Sequence, residues 1–141
     1  MKILSIDYGT KRVGLAISDE TLTFAHRIAH IENFKDENEL LIKLAKIIEF
    51  EQVDEVIIGL PLGVDEKDTE MSKKIQMFIQ TLKTVIKSSV KTVNETYTTR
   101  QAYSNLGRNR GKKSIDSESA RILLQEYLDD KKLRASTQDK L

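Results

Sequence analysis

Apolar residues at the start of the chain alternate with small or polar residues, which is the period of β-strands. An apolar run, Ile3–Ile6, predicts a first strand that ends at Asp7. Residues 13–17, VGLAI, alternate and predict a second strand, and a third is predicted within Leu22–Ile31. A tight turn joins the first two strands, and its Gly9 is free to adopt a positive φ.

From Asp36 the apolar residues recur at helical spacing, and later segments change period again. The apolar run Val56–Leu60 predicts a strand buried on both faces, ended by the only proline, Pro61. The other predicted elements are, in chain order, a helix from Asp36 to about Phe50, a helix from Met71 to Ile86, a strand from Val90 to Asn94, a short helix from Thr98 to Leu106, a loop from Gly107 to Lys113 and a last helix from about Ile115 to Leu128, with a frayed tail from about residue 130.

This order of elements predicts an α/β fold. We expect a mixed five-stranded sheet, in which a three-strand antiparallel meander is followed by parallel strands, with helices on both faces. The 141 residues predict one domain, 1–141. Composition (39% apolar, 32% charged) is typical of a soluble protein, and no apolar run approaches the roughly 20 residues of a membrane span, so we expect a cytoplasmic protein without membrane contact.

The absence of cysteine and the small net charge limit the kinds of site that the chain can form. The chain has no cysteine, which excludes disulfides, thiolate metal sites and cysteine nucleophiles. Its net charge of +1 means that binding to nucleic acid would need a local basic patch. His26 and His30 lie four apart on a predicted strand, about 13 Å from each other, and we interpret both as ordinary edge histidines.

Three acidic residues occupy comparable positions at the ends of predicted elements. Asp7 and Glu95 each follow a strand, and we expect both at the carboxyl edge of neighbouring parallel strands. Asp116 lies in the first turn of the last helix, on the stripe that includes Ala120 and Leu123. Three converging carboxylates would repel one another, and Mg²⁺ or Mn²⁺ would relieve that repulsion. Alternatively, Asp7 caps its own turn, Asp116 caps its helix and Glu95 is a surface acid.

Cations flank two of these acids. Lys11 and Arg12 follow Asp7, and a basic loop precedes Asp116 with the residues Arg108, Arg110, Lys112 and Lys113. Beside a pair of divalent ions, such cations would hold phosphates, as a two-metal phosphodiesterase requires. The loop could equally be a solvated surface segment. A glycosidase is disfavoured because aromatic residues make up only 6% and tryptophan is absent.

Four segments resemble, in order, the motif regions of the YqgF family: DYGTKRVGLAISD, IGLPLGVD, NETYTT and KKSIDSESARILLQEYLD. These are small bacterial nuclease-like proteins with an RNase H-like fold, described as Holliday junction resolvases and as nucleases that mature the 5′ end of pre-16S rRNA. The resemblance implies that fold here, and implies that Asp7, Glu95 and Asp116 match the family's three acidic site residues. Two departures stand out: Asn94-Glu95-Thr96 replaces Asp-Glu-Arg, where Arg100 could supply the missing cation, and Ser119 replaces alanine.

The leading hypothesis is therefore a metal-dependent endonuclease, with two Mg²⁺ or Mn²⁺ ions, that trims structured precursor 16S rRNA as a monomer or weak homodimer. A junction resolvase acting on branched DNA is the nearest alternative, and it would need a symmetric dimer to cut two strands. A third hypothesis is a non-catalytic RNA-binding module. An actin-like ATPase also uses an Asp-x-Gly-Thr turn, but it needs two such lobes, and this chain supplies one.

Overall fold

The computed structural model describes residues 1–9, 11–60, 70–94 and 112–139, and for Asn94, 112–116 and 135–139 it describes the backbone alone. Five strands and three helices follow one another in these ranges. In chain order they are β1 (Ile3–Asp7), β2 (Arg12–Ser18), β3 (Ala25–Glu32), α1 (Glu37–Glu51), β4 (Glu55–Leu60), α2 (Glu70–Val85), β5 (Ser89–Asn94) and α3 (Lys112–Asp139).

The strands form one mixed sheet in the order β3-β2-β1-β4-β5. β1 pairs antiparallel with β2, and β2 pairs antiparallel with β3, so the predicted meander is confirmed. β4 pairs parallel with both β1 and β5. Ile57 and Ile58 of β4, an interior strand, are fully buried, one in the core on each side of the sheet, as the continuous apolar run predicted.

Helices cover both faces of the sheet, also as predicted. Alternate β-strand residues such as Leu4 and Ile6 pack with α1 and α2, whose Leu44 and Phe78 are fully buried. Ile3 and Ala16 belong to the second core, under Ala120 and Leu123 of α3. Because successive strand residues point to opposite faces, the two cores divide the sheet residues between them.

Two side chains of the first turn cap the amino end of α1 and fix where the helix starts. The Asp36 side chain accepts a hydrogen bond from the Glu39 amide at 2.9 Å, and the Glu39 carboxylate accepts one from the Lys35 amide at 3.2 Å. The Asp36 carboxylate satisfies an amide that the helix leaves without an intrahelical partner, and the Glu39 carboxylate binds the residue that precedes the N-cap.

The last helix is the main departure from the predicted elements. It begins at Lys112 and runs to Asp139, whereas the sequence predicted a span from about Ile115 to Leu128 with a loop before it and a frayed tail after it. Lys112 and Lys113 are therefore helical, because nothing between them and Ile115 interrupts a helix. The predicted helix Thr98–Leu106 lies outside the described residues. None of the described helices combines the length and apolar character that crossing a bilayer requires.

Candidate active site

Asp7 is the last residue of β1, at the carboxyl edge of the sheet, as predicted. It pairs across the antiparallel ladder with Gly14, and its side chain is partly buried. Strand alternation puts Asp7 on the same face as Ile3 and Ser5, which is the face that α3 covers. The carboxylate therefore lies at the rim of the α3 core, held by a strand that is paired on both sides.

Gly9 is required in the turn after Asp7, but not for the reason that the sequence suggested. Its φ lies outside the left-handed region, so the freedom of glycine to adopt a positive φ is not used here. A Cβ at this position would lie 2.3 Å from the carbonyl oxygen of Arg12, which is closer than real Cβ contacts. Glycine is thus needed because the two arms of the hairpin approach each other closely immediately beyond Asp7.

Helix α3 runs antiparallel to β1, so that its amino-terminal half lies towards the carboxyl edge. Ser117 donates a hydrogen bond to the carbonyl oxygen of Ile28. Ile28 pairs with Leu15 of β2, which in turn pairs with Ile6 near the carboxyl end of β1. Ten residues after Ser117, the Tyr127 hydroxyl donates to Glu55 at the amino end of β4, 3.1 Å away. These two contacts define the direction of the helix over the sheet.

The other two predicted site acids are Asp116, at the start of α3, and Glu95, directly after β5. Asp116 belongs to the backbone of α3 and directly precedes Ser117, in the second turn instead of the predicted first one. Ala120 and Leu123, the residues that share its predicted stripe, are buried against the sheet. Glu95 follows the last residue of β5 and lies outside the described residues. The expectation that the strand ending at Asp7 and the strand preceding Glu95 are neighbours is wrong: β1 and β5 run parallel, but β4 lies between them.

The donor atoms at the carboxyl edge of the sheet determine whether a divalent metal ion could bind there. Asp7 supplies an anionic oxygen donor on a rigid strand end, which is what Mg²⁺ and Mn²⁺ prefer. The described side chains contain no group of three potential ligands that could hold a metal ion. Among the described residues, Asp7 of β1 is therefore a suitable carboxylate ligand for a divalent ion. Further carboxylate ligands would have to come from Glu95 and Asp116.

Among the predicted phosphate-binding cations, Lys11 and Arg12 have side chains that the structure describes. Lys11 is exposed, and Arg12 is partly buried at the start of β2, cross-strand from Glu32. Alternation with Gly14 and Ala16 puts Arg12 on the α3 face, the same face as Asp7. Of the other predicted cations, Arg100, Arg108 and Arg110 lie outside the described residues, and Lys112 and Lys113 are described by their backbone alone.

Two buried acids that the sequence analysis passed over proved to be structural. The Glu118 side chain is 7% exposed, and it pairs with Arg121 of the same helix and with Arg27 of β3, whose Nε is 3.4 Å away. Glu55 is 3% exposed, and its two carboxylate oxygens lie 2.7 Å from Lys91 Nζ and 3.1 Å from the Tyr127 hydroxyl. Burial of a charge requires such partners, and the position of Glu55 in an otherwise apolar strand was the available signal.

Asp19, the second acid of the opening motif, also has a structural role. Its Oδ1 accepts hydrogen bonds from the amides of Thr23 at 2.8 Å and Phe24 at 3.3 Å. The Thr23 bond is the main reason that the pKa of Asp19 is lowered. His26 and His30 lie on β3, an edge strand, as predicted, and His30 is 3.5 Å from Glu32.

Comparison with known proteins identifies relatives along nearly the whole chain. Residues 1–130 match the family model RuvX, described as Holliday junction resolvase. A protein of Maridesulfovibrio salexigens is 36% identical over 133 residues, which cover 91% of this chain and 98% of the relative. One of Dictyoglomus turgidum is 34% identical over 134 residues, which cover 92% and 94%. Both carry the name "Putative pre-16S rRNA nuclease".

The fold also has counterparts among solved structures. Thermus thermophilus RuvC in complex with a Holliday junction substrate superposes with a TM-score of 0.60 over 93% of this chain and 95% of RuvC, at 12% sequence identity. A second RuvC structure from the same organism gives a TM-score of 0.59. At this identity the likeness concerns the fold alone, and it confirms the predicted RNase H-like α/β architecture.

Proposed function

Since this chain belongs to the RuvX family, we propose that it is an endonuclease that hydrolyses phosphodiester bonds with the help of divalent metal ions, and that it matures the 5′ end of precursor 16S rRNA in the cytoplasm. The name of the two relatives that align almost end to end supports the choice of substrate. The observation that carries the proposal is the position of Asp7, at the carboxyl end of β1 on the face that α3 covers.

Asp7, Glu95 and Asp116 are the proposed metal ligands. Val93 packs against the α3 core, and Glu95 follows it by two residues, the period of a β-strand. Asp116 precedes the buried Ala120 by four residues, the spacing of one helical face. Together these carboxylates would hold two Mg²⁺ or Mn²⁺ ions, which supply electrostatic stabilisation of charge on the phosphate oxygens.

The proposed role of the cations is to position the substrate backbone. Lys11 is exposed four residues after Asp7, and Arg12 faces the same side of the sheet as Asp7. Contacts to phosphates fix the register of a nucleic acid and depend strongly on salt. Further backbone contacts are proposed for Arg100, Arg108, Arg110, Lys112 and Lys113. A single active site suffices for trimming one strand, so the proposal requires no more than a monomer or weak homodimer.

A junction resolvase is the second candidate, because the description of the family model names that activity. It differs in its substrate, branched DNA, and in its need for two active sites related by symmetry. The two candidates share Asp7, so a substitution there cannot separate them. The substrate and the oligomeric state can.

The decisive experiment compares the wild type with Asp7→Asn and with the control Asp130→Asn, which changes an exposed acid that pairs with surface Arg134 at 3.1 Å. We expect the wild type and Asp130→Asn to cut a labelled RNA that spans the 5′ end of 16S rRNA in Mn²⁺, and Asp7→Asn to lose at least about 100-fold in rate. Calorimetric titration with Mn²⁺ should show weaker binding to Asp7→Asn alone.

Three outcomes would count against the proposal. Equal cleavage by the wild type and Asp7→Asn would contradict the site. Faster cleavage of a four-way DNA junction by a stable dimer would favour the resolvase. RNA binding without cleavage by any of the three proteins, together with unchanged Mn²⁺ binding, would favour the non-catalytic module.

A further inference from the structure

A cleft of about 380 Å³ opens beside the candidate active site, on the opposite face of the sheet edge. Tyr8, which directly follows Asp7, forms one wall, and its ring packs on the buried Phe78 with centroids 4.8 Å apart. Phe34, after the end of β3, is a second aromatic wall, and Met77 of α2 is 72% exposed in the cleft. We call this cleft the Tyr8 pocket.

The charged groups around the Tyr8 pocket are arranged in a way that suits a nucleotide. Lys35 and Lys74 line it, and both are exposed. The Asp36 and Glu39 carboxylates each accept a backbone hydrogen bond at the amino end of α1. Glu37 also lines the pocket, and its carboxylate can accept a hydrogen bond. The pKa of Tyr8 is raised mainly by the burial of Tyr8 and secondly by the charge of Glu37.

We propose that the Tyr8 pocket binds one unpaired base of the nucleic-acid strand that the active site cuts, an inference that rests on the proposed function. Aromatic side chains bind bases by stacking, largely regardless of base identity. The two lysines would contact the neighbouring phosphates, and Glu37 can accept a hydrogen bond from an exocyclic amino group.

The position of the pocket links it to the reaction. Tyr8 and Asp7 are consecutive, so their Cα atoms are about 3.8 Å apart, and strand alternation directs their side chains to opposite faces. A strand that crosses the carboxyl edge would thus present a phosphate to Asp7 on one face and an unpaired base to Tyr8 on the other. The pocket would make the enzyme select cut sites that are flanked by an unpaired nucleotide.

Phe34→Ala tests the proposal in an Asp7→Asn background, where binding is measured without cleavage. The control is Phe50→Ala, because Phe50 is 85% exposed in the last turn of α1, away from the carboxyl edge. The probe is a fluorescent RNA that spans the 5′ end of 16S rRNA with a single-stranded leader. We expect Phe34→Ala to weaken binding between about fivefold and about 100-fold, and Phe50→Ala to change it by less than about twofold.

An abasic scan then identifies the base. One abasic position near the cut site should weaken binding to the Asp7→Asn protein as much as Phe34→Ala does, and should cause no further loss in the double variant, since both changes remove the same contact. A second pair, Lys74→Gln and its control Lys46→Gln, uses exposed lysines of α2 and α1 that do not support the core. Only Lys74→Gln should weaken binding.

The outcomes separate this inference from the function on which it rests. Additive effects of Phe34→Ala and every abasic position would overturn the Tyr8 pocket as a base site, even where the wild type cuts RNA. Coupled effects without cleavage by the wild type would retain the pocket and refute the nuclease. Repeating the scan with single-stranded DNA of the same sequence distinguishes the two sources of the base. Loss of all measurable binding in the Asp7→Asn protein would overturn the Tyr8 pocket as a base site, whereas cleavage by the wild type would still decide whether the protein is a nuclease.

Discussion

Tyr127→Phe should destabilise the protein measurably, because the hydroxyl that it removes is a partner of a buried charge. Glu55 is only 3% exposed at the amino end of β4, and the Tyr127 hydroxyl lies 3.1 Å from its Oε2. Lys91 Nζ, at 2.7 Å from Oε1, and Lys131 Nζ, at 3.9 Å from Oε2, remain after the substitution. The phenyl ring would keep its packing, so the loss is confined to one hydrogen bond.

The magnitude follows from the charge of the acceptor. Hydrogen bonds to ionised groups contribute about 1.5–3 kcal/mol. Since Lys131 can approach the oxygen that is released, we expect a loss of about 1–2 kcal/mol in the free energy of unfolding, or about 4–8 °C in Tm for a chain of this size. The control is Lys43→Met, which breaks a surface pair with Glu39 at 3.5 Å and should cost no more than about 0.5 kcal/mol.

The same cluster predicts sensitivity to alkaline pH. Burial and then the Glu55 charge raise the pKa of Tyr127, and a hydrogen bond and the charge of Glu55 raise the pKa of Lys91. Both groups hold their protons more tightly in the folded state, so their stabilisation is complete below their unfolded pKa values, about 10, and is lost as pH rises through the folded values. Tyr127→Phe should therefore lose less stability than the wild type above about pH 10.

Urea titrations of the wild type and the two variants, at pH 7 and at about pH 10.5, measure both effects through the midpoint at constant m-value. The cluster would be refuted as a source of stability if Tyr127→Phe and Lys43→Met had the same midpoint at pH 7. A steeper alkaline loss in Tyr127→Phe than in the wild type would contradict the assigned direction of the Tyr127 pKa.

Two further substitutions test the surroundings of Asp7. Gly9→Ala would place a Cβ 2.3 Å from the Arg12 carbonyl oxygen, so we expect a loss of about 1–3 kcal/mol in urea titrations and slower RNA cleavage; unchanged stability and rate would show that the hairpin yields without cost. Ser5 is fully buried, and its hydroxyl has no hydrogen-bond partner among the residues that the structure describes. Ser5→Ala should thus leave stability unchanged or raise it by about 1 kcal/mol, and a loss of that size would contradict this.

Much of the fold could be predicted from the chain because periodicity is a local property. Alternation in β2 and helical spacing in α2 are set by which side chains face the core, within a few residues of one another. The position of Asp7 at a strand end is local in the same sense, and so are the motifs that indicated the family.

Only the tertiary structure decided what depends on distant residues. In the folded protein β4 lies between β1 and β5. Glu55 is bound by Tyr127, 72 positions away, and Phe34 and Tyr8 line the same cleft. The tertiary structure also showed that Gly9 is required by the approach of Arg12 and not by its own φ. Periodicity specifies the face on which a residue lies, whereas strand order and the partner of a buried charge depend on which elements pack together, and that is decided by the whole chain.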